Sequence, residues 1–206
     1  MPFQLGSITA RRYRVVGEVS IELSRTATIA LRGRAWRPID PSRGEKESIG
    51  WVNPRNVLAE TFSYEEVMIS HNLMLLGFRR DRKAFNKTLF RARRQALIRR
   101  VMAEKKLEKI SKQQRIALEE QLAIEMLTET SPVSAFYELI WDLNSGIVLM
   151  GAASNALCEK IGEHFEATFD LKLHPIFPAI VGGQFIANNS LDEEYGLATA
   201  AAESIA

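Results

Sequence analysis

Residues 79–115 carry most of the side chains that could do chemistry in this sequence. The segment holds 15 Lys and Arg residues against three acids, a net charge of +12, whereas the whole chain of 206 residues has only +2. Guanidinium and ammonium groups at this density bind phosphate oxygens and release counterions when they do so. The segment therefore points to a polyanionic partner.

The rest of the chain supplies the opposite charge. Residues 116–206 hold two lysines and 14 acids, a net charge of −12, and residues 1–78 contribute the remaining +2. In an alternative interpretation, the basic run is a solvated helical surface that pairs with the acidic half of the same protein. The three acids of the run can pair with at most three of its 15 basic residues, so 12 basic residues have no acidic partner inside the run.

Three residues could form a catalytic metal site. Asp142 ends a candidate strand, and Asp170 and Lys172 lie at the start of another. This spacing imitates the Asp…Asp-x-Lys pattern with which many nucleases hold Mg²⁺ and activate water. In the structural interpretation, Asp142 caps a turn with Asn144, and the other two residues flank an exposed strand start. A Mg²⁺-dependent nuclease remains an alternative function.

The remaining inventory argues against catalysis. The three histidines, His71, His164 and His174, are not spaced as a pair of metal ligands such as HxxxH, and Cys158 has no second cysteine to form a CxxC motif. The glycines of residues 181–183 are not followed by the Lys that a phosphate-binding loop requires. We therefore expect no catalytic residue, no metal and no cofactor.

Composition and termini indicate the class of protein and its compartment. A content of 46% hydrophobic and 25% charged residues is typical of a globular protein. The single cysteine, Cys158, has no partner within the chain and indicates a reducing compartment. No secretory signal is visible at the start, and the longest near-apolar stretch, residues 146–153, is too short to span a bilayer. We expect a cytoplasmic protein without a membrane partner.

The elements that precede the basic run are mainly strands. Alternation and apolar runs predict them over residues 7–16, 49–52, 66–70 and 72–78. A helix over roughly residues 21–33 is capped by Ser20 and ended by Gly33. Residues 37–47 are rich in Pro, Gly and charge, which predicts an exposed loop.

The basic run itself predicts a helical hairpin. A long helix extends from about Asn86 to Ile110, and Ser111 caps a second helix that ends near Thr128. The second helix has apolar residues at three- and four-residue steps: Ile116, Leu118, Leu122, Ala123, Met126 and Leu127. The basic residues of the first helix scatter around its cylinder, so we expect it to project from the body or line a wet channel.

Sequence-independent phosphate binding suits this hairpin better than base reading. It lacks the one-faced, Asn- and Gln-rich surface of a recognition helix. Tyr13, Phe78, Phe85 and Phe90 lie near basic residues and could stack on bases, but packing is the commoner role of such side chains.

Strands and a helix return after Pro132. Residues 135–143 and 147–151 predict a β-hairpin that turns at residues 144–146. Ser154 or Asn155 caps a helix, which carries Leu157, Ile161, Phe165 and Phe169 at helical spacing. Residues 171–177 form the closing strand.

These elements predict an α+β fold of antiparallel or mixed sheets with packed helices and a long protruding basic helical hairpin. The predicted parts are an N-terminal α/β part (1–84), the basic helical hairpin (85–130), a β-hairpin–helix–strand part of the same body (131–178) and an acidic tail (179–206).

Several short motifs, taken in order, resemble a known family. They are Gly50-Trp51-Val52 with Pro54, the basic hairpin, Pro132, Ala135-Phe136, Trp141-Asp142 with Asn144 and Gly146, Ala152-Ala153-Ser154, and Pro175-Ile176-Phe177-Pro178. From about Trp51 to Pro178, their order and spacing resemble the N-terminal two-thirds of RdgC, the recombination-associated proteins of bacteria. The family continues into a further C-terminal region, so the resemblance is to a short variant. Val133 and Ser134 stand where the family has a basic residue.

The resemblance implies a sequence-independent DNA-binding protein of the nucleoid. Family members form a dimeric ring around duplex DNA and restrain homologous recombination by obstructing recombinase filaments. By position, the resemblance implies the following DNA-binding residues: Arg79, Arg80, Arg82, Lys83, Lys87, Arg91, Arg93, Arg94, Arg99, Arg100, Lys105 and Lys106. Because the chain lacks the further region, an open or differently assembled oligomer is the alternative to a closed ring.

The leading expectation is therefore a homodimer that binds double-stranded DNA, with single-stranded DNA as a further ligand. The alternatives are the Mg²⁺-dependent nuclease and an interaction module whose basic hairpin docks an acidic protein. If six to eight phosphates are engaged, DNA affinity should fall roughly a thousandfold between 50 and 200 mM salt.

Overall fold

Strands and helices are interspersed along the chain. The computed structural model describes residues 9–19, 22–59 and 61–176. Its strands are β1 (Arg11–Val16), β2 (Glu47–Val52), β3 (Leu73–Arg82), β4 (Val133–Asp142), β5 (Ile147–Met150) and β6 (Lys172–Pro175). Its helices are α1 (Leu23–Gly33), a 3-10 turn (Pro41–Arg43), α2 (Tyr64–Val67), α3 (Lys87–Glu104), α4 (Lys112–Glu129) and α5 (Asn155–Phe169). The predicted α+β class is confirmed.

The six strands form one curled antiparallel sheet in the order β2-β3-β4-β5-β1-β6. Strand β1 lies between β5 and β6, so that Tyr13 is opposite Val148 on one side and Pro175 on the other. Strands β4 and β5 form the predicted hairpin, with Asp142 opposite Ile147. The first strand of the chain thus pairs with the last two strands, β5 and β6.

Contacts divide the chain into two compact units. The first unit comprises residues 1–35, 51–78 and 137–206, and the second comprises residues 36–50 and 79–136. We call the second the hairpin unit, because it contains α3 and α4.

An aromatic cluster fills the core of the first unit. Trp141 packs edge-on against Phe165 and Phe169 of α5, with ring centroids 5.1 and 5.5 Å apart. Trp51 contacts Phe169 as well, and its indole Nε1 donates a hydrogen bond of 2.7 Å to Thr168 Oγ1. These contacts hold α5 on the sheet, so the two tryptophans of the family-like motifs are structural here.

Asn53 organises the loop after β2. Its side chain is fully buried, and its Nδ2 donates to the Thr61 carbonyl at 2.9 Å. Its Oδ1 accepts from the backbone N–H groups of Arg55 and Asn56 at 2.9 and 3.1 Å. One buried amide therefore satisfies three backbone groups in a segment that has no regular structure of its own.

The predicted strand over residues 66–70 is wrong. The chain forms the helical turn α2 there, because Ser63 and Glu66 make a capping box: Ser63 Oγ accepts from the Glu66 N–H, and Glu66 Oε2 accepts from the Ser63 N–H. Only Met68 makes a strand-like bridge, to Met74.

Other predicted boundaries shift by a few residues. Helix α3 ends at Glu104 rather than near Ile110, because Lys106 adopts a positive φ of 51° that interrupts the helix. Strand β3 extends to Arg82, which places the first three predicted DNA-binding residues on a strand and not on the hairpin. Helix α1 begins at Leu23 with Glu22 as its N-cap, so the predicted cap at Ser20 is wrong. Ser20 itself and the acidic tail (179–206) lie outside the described residues.

Candidate nucleic-acid interface

The hairpin is built by local signals at each helix end. Asn86 Oδ1 accepts hydrogen bonds from the N–H groups of Thr88 and Leu89, at 2.8 and 3.2 Å, and so starts α3. Ser111 and Gln114 form a capping box that starts α4. The loop between the helices ends at the Ser111 cap and holds Lys105, Lys106 and Lys109.

The two helices differ in burial. No residue of α3 is buried, whereas α4 buries Leu122, Met126 and Leu127. Helix α4 thus packs within the hairpin unit, and α3 presents a solvated surface along its length, about 27 Å for 18 residues.

The predicted basic residues of β3 are engaged in structure. Arg79 forms a two-point ion pair with Asp81, both contacts at 2.8 Å, and the Asp81 carboxylate is only 1% exposed. The Arg79 guanidinium also lies 3.7 Å from the centre of the Trp36 ring. Arg80 forms an ion pair with Glu47. These two guanidinium groups hold the sheet and its neighbouring loop together.

Four more predicted cations have partners within the hairpin unit. Lys83 Nζ donates to the Leu127 carbonyl at 2.9 Å. The other three form ion pairs: Arg93 with Glu129 at 2.7 Å, Arg94 with Glu119 at 3.4 Å, and Arg100 with Glu104 at 2.8 Å. The acids of α4 therefore neutralise part of the charge of α3.

The other half of the predicted set is exposed and has no polar partner within the described residues: Arg82, Lys87, Arg91, Arg99, Lys105 and Lys106. Lys109 and Lys112, which are not in the predicted set, are also exposed and without a polar partner within the described residues. The sequence could have identified them, because both belong to the basic run of residues 79–115. We call these eight residues the free cations.

The free cations of α3 lie on one flank of the helix. At about 100° per residue, Arg91 and Arg99 lie about 40° and 120° around the axis from Lys87. The paired residues Arg93 and Arg100 lie on the opposite flank, at about 240° and 220°, whereas the paired Arg94 lies beside Lys87, at about 340°. Lys105, Lys106 and Lys109, in the loop that follows α3, extend the positive charge beyond the end of the helix. A phosphate chain could therefore meet unpaired cations along one side of the hairpin.

Residues 9–181 match the model of a protein family described as "Putative exonuclease, RdgC". The chain belongs to the RdgC family. Membership points to a recombination-associated DNA-binding protein. A search of curated proteins found no match.

The aromatic candidates of this RdgC-family chain are engaged in packing. Tyr13 and Phe78 are buried, at 7% and 0% exposure. Phe85 and Phe90 stack on each other, with ring centroids 5.1 Å apart. Burial raises the pKa of Tyr13 to about 12, and a hydrogen bond with Cys158 adds to the shift. All four rings therefore make packing contacts within the protein.

The nuclease-like trio is not brought together. Asp142, Ile147, Arg14 and His174 lie in one row across β4, β5, β1 and β6. Asp142 and His174 are thus three strand spacings apart, about 14 Å across the sheet, and Lys172 lies two residues further along β6. Lys172 is 3.5 Å from Glu166, and no group of three acids, histidines or cysteines that could hold a metal occurs among the described residues.

Asp142 acts as a turn residue in this protein. Its carboxylate accepts from Ser145 Oγ at 2.7 Å, from the Asn144 N–H at 3.0 Å and from Asn72 Nδ2 at 3.3 Å. The Ser145 hydroxyl, followed by the backbone donors of the turn, lowers the pKa of Asp142. The structural interpretation of this residue is confirmed.

The first unit also has an open cavity of about 470 Å³ between α5 and β6. Glu159, Glu163 and Glu166 line its helical side. Arg11 and Lys172 line the cavity as well, so it carries charges of both signs and lacks the excess of cations that marks the candidate interface. In the part of the chain that the structure describes, no helix has the length and apolar content needed to cross a membrane.

Proposed function

We propose that this protein binds DNA without sequence preference through the free cations of its hairpin. We propose further that it does so as a homodimer in the nucleoid, where it restrains homologous recombination by obstructing recombinase filaments. The observation that carries the proposal is a flank of α3 with three unpaired cations, Lys87, Arg91 and Arg99, on which only Arg94 is ion-paired. An unpaired, hydrated cation can exchange its counterion for a phosphate, whereas an ion-paired one must first break a contact.

The same flank favours phosphates over base edges. Gln95, one turn from both Arg91 and Arg99, is the only amide side chain of α3, so the helix lacks the Asn- and Gln-rich surface of a recognition helix. Guanidinium and ammonium groups contact phosphate oxygens irrespective of sequence. Double-stranded DNA is the main proposed ligand, and single-stranded DNA is a further one, because both present a continuous phosphate chain.

The test is fluorescence anisotropy of labelled duplex and single-stranded DNA over a salt series, with wild type and Arg91→Glu/Arg99→Glu. If six to eight phosphates are engaged, affinity should fall roughly a thousandfold between 50 and 200 mM salt. The double variant should bind weakly, and its salt slope should be smaller by about 2.

The matched control is Arg25→Glu/Arg55→Glu. Both side chains are exposed and form no ion pair within the described residues, and both residues belong to the first unit. The control changes net charge by the same amount, so it should retain most of the affinity. Equal losses in both variants would show that net charge and not the hairpin drives binding. No binding at low salt would instead indicate that the hairpin docks an acidic protein.

An exonuclease is the second candidate, because the family description names that activity. End-labelled DNA incubated with Mg²⁺ or Mn²⁺ tests it directly. Shortening of the DNA that Asp170→Ala abolishes would favour the nuclease over the binding protein. Intact DNA under conditions where the anisotropy assay shows full occupancy would exclude it.

A further inference from the structure

The most exposed phenylalanine of the described residues lies in the hairpin unit. Phe136, on β4, is 39% exposed, whereas the other phenylalanines of this part of the chain are buried or half-buried. A single apolar side chain on a protein surface needs no explanation by itself. The contacts that Phe136 makes are what set this ring apart.

The guanidinium group of Arg79 joins Phe136 to a second aromatic ring. The guanidinium carbon lies 3.7 Å from the centre of the Trp36 ring and 5.4 Å from the centre of the Phe136 ring. A planar guanidinium stacks on aromatic faces and is attracted by their electron density. All three residues belong to the hairpin unit, so this aromatic–guanidinium cluster of Trp36, Arg79 and Phe136 is a feature of that unit alone.

Arg79 is itself held in a fixed position. Its guanidinium makes two contacts of 2.8 Å with the buried Asp81 carboxylate, and its Nη2 also donates to Ser134 Oγ at 3.3 Å. A charged pair with two parallel hydrogen bonds fixes the plane of the guanidinium as well as its place. Phe136 therefore rests on a rigid support, and a rigid surface loses little conformational entropy when a ligand binds to it.

Unpaired cations lie next to the cluster along the chain. Arg37 directly follows Trp36, is exposed, and has a side chain with no ion pair or hydrogen bond within the described residues. Arg82 is one of the free cations and lies three residues after Arg79 on β3, about 10 Å along the strand. An exposed ring among cations is typical of surfaces that hold single-stranded nucleic acid, where rings stack on bases and cations contact phosphates.

Base pairing determines which form of DNA such a ring can reach. In a duplex, each base is stacked between its neighbours and presents only its edges in the grooves. An unpaired base exposes its face, and every base has such a face whatever the sequence. The Phe136 ring is therefore suited to single strands, whereas the free cations of α3 are suited to phosphates of either form.

We infer that Phe136, supported by Arg79 and Trp36, stacks on a base of single-stranded DNA. The inference rests on the DNA binding of the proposed function and deepens it, because it names the residue that distinguishes single strands from duplexes. Stacking adds affinity for single strands that does not depend on the number of phosphates engaged, and it leaves the binding independent of sequence.

The test is fluorescence anisotropy with labelled oligo-dT, with an abasic strand of the same length, and with duplex DNA. The abasic strand keeps the phosphates but has no bases, so wild type should bind oligo-dT roughly tenfold more tightly than the abasic strand. Phe136→Leu should lose this difference and keep the salt slope of both strands, because the phosphate contacts are unchanged. Its affinity for duplex DNA should equal that of wild type.

Two further variants and a stability measurement serve as controls. Phe136→Trp retains a ring at the position and should retain the preference for oligo-dT. Tyr64→Leu removes a ring of the first unit that is 45% exposed, and it should also retain the preference. Urea unfolding of Phe136→Leu checks that the hairpin unit is still folded. Weaker binding of Phe136→Leu to duplex DNA would assign the ring to the fold and overturn the inference.

The same assay separates failure of the inference from failure of the proposed function. If wild type binds duplex DNA but binds oligo-dT and the abasic strand equally, the inference is overturned and the phosphate binding stands. A preference for oligo-dT that persists in Phe136→Leu also overturns the inference alone. If wild type binds no DNA at low salt, the proposed function and the inference fail together.

Discussion

At the scale of single residues, the basic side chains of the described residues are of two kinds, those held by a polar or aromatic partner and those without one. Arg79 is held by Asp81 and by the ring of Trp36, and removing it would leave a buried carboxylate without its counter-charge. Arg91 and Arg99 have no such partner within the described residues. Sequence composition counts all of them equally, but only the second kind is ready to neutralise a phosphate.

Glu119→Gln should therefore strengthen DNA binding. Glu119 lies 3.4 Å from Arg94 and 3.8 Å from Arg115, so its neutralisation frees two cations in the hairpin unit. If both then contact phosphates, the salt slope should steepen by up to about 2, and the affinity at low salt should rise several-fold. Anisotropy over the same salt series measures both quantities.

Glu125→Gln is the control for this substitution. Glu125 lies on the same helix, is exposed, and has no ion pair within the described residues. Its neutralisation changes the net charge equally but frees no arginine, so its effect should be smaller and the slope unchanged. Equal slopes for the two variants would contradict the role of the ion pairs.

His164 gives a pH-dependent contribution to stability. Its Nε2 donates to the Arg34 carbonyl at 3.0 Å, and its ring packs against Trp51 and Phe78. Burial lowers the pKa of His164 below its ordinary value of 6.5. The unfolded chain thus binds the proton more readily, so the free energy of unfolding should decrease as the pH falls from above 6.5 through the lower pKa of the folded state.

Urea unfolding at pH 7.5 and 5.5 checks this prediction against His164→Gln. The glutamine amide can donate to the same carbonyl but does not titrate, so the variant should lose less stability between the two pH values. His71 and His174 are present in both proteins and cancel in the comparison. The prediction fails if wild type and variant show the same pH dependence.

At the scale of elements, β3 and the segment after β2 approach each other closely at Gly77. A Cβ atom at this position would lie 2.7 Å from the Val52 carbonyl oxygen and 3.1 Å from Pro54 Cα. Both neighbours are backbone atoms, so they cannot rotate away as a flexible side chain could. The family-like motif Gly50-Trp51-Val52 with Pro54 thus owes part of its placement to a residue that the motif does not include.

Gly77→Ala and Gly162→Ala should change stability in opposite directions. The first inserts a methyl group into a contact that cannot yield, and we expect a loss of about 1–3 kcal/mol. The second lies inside α5, where a Cβ would meet nothing within 4 Å, and we expect a gain of roughly 0.5–1 kcal/mol from helix propensity. Urea unfolding of both variants at one pH measures the two changes. A neutral Gly77→Ala would show that the sheet adjusts at that point.

Local signals explain which elements the sequence could predict. The caps Asn86 and Ser111 and the turn at residues 144–146 act within a few positions, and the structure has a helix or hairpin at each. The helical turn α2 was missed because the apolar residues 67–69 outweighed the capping box of Ser63 and Glu66. The partners of Arg79, Arg80 and Lys83 depend on contacts from Trp36, Glu47 and Leu127, which no local pattern reveals.

At the scale of the whole molecule, the sequence divides its charge between a basic run of +12 and a later half of −12. Part of this acidity is used within the hairpin unit, where Glu119 and Glu129 pair with arginines of α3. The remaining acids lower the positive potential that attracts DNA, most strongly at low salt, where screening is weakest. Affinity should therefore depend on acids that never touch the ligand.

Removal of residues 179–206 tests this long-range effect. The segment contains four acids and no Lys or Arg, namely Asp192, Glu193, Glu194 and Glu203. Its deletion should raise affinity for duplex DNA several-fold at 50 mM salt and much less at 200 mM, because the Debye length falls as salt increases. Anisotropy at the two salt concentrations gives both values.

A full-length variant with these four acids changed to Asn and Gln separates charge from chain length. If electrostatic repulsion is the cause, this variant should reproduce the deletion, and the gain should shrink with salt in the same proportion. A gain in the deletion alone would attribute the effect to steric exclusion by the segment. Unchanged affinity in both would show that the acids of residues 179–206 do not influence DNA binding, and that the hairpin unit sets its own charge balance.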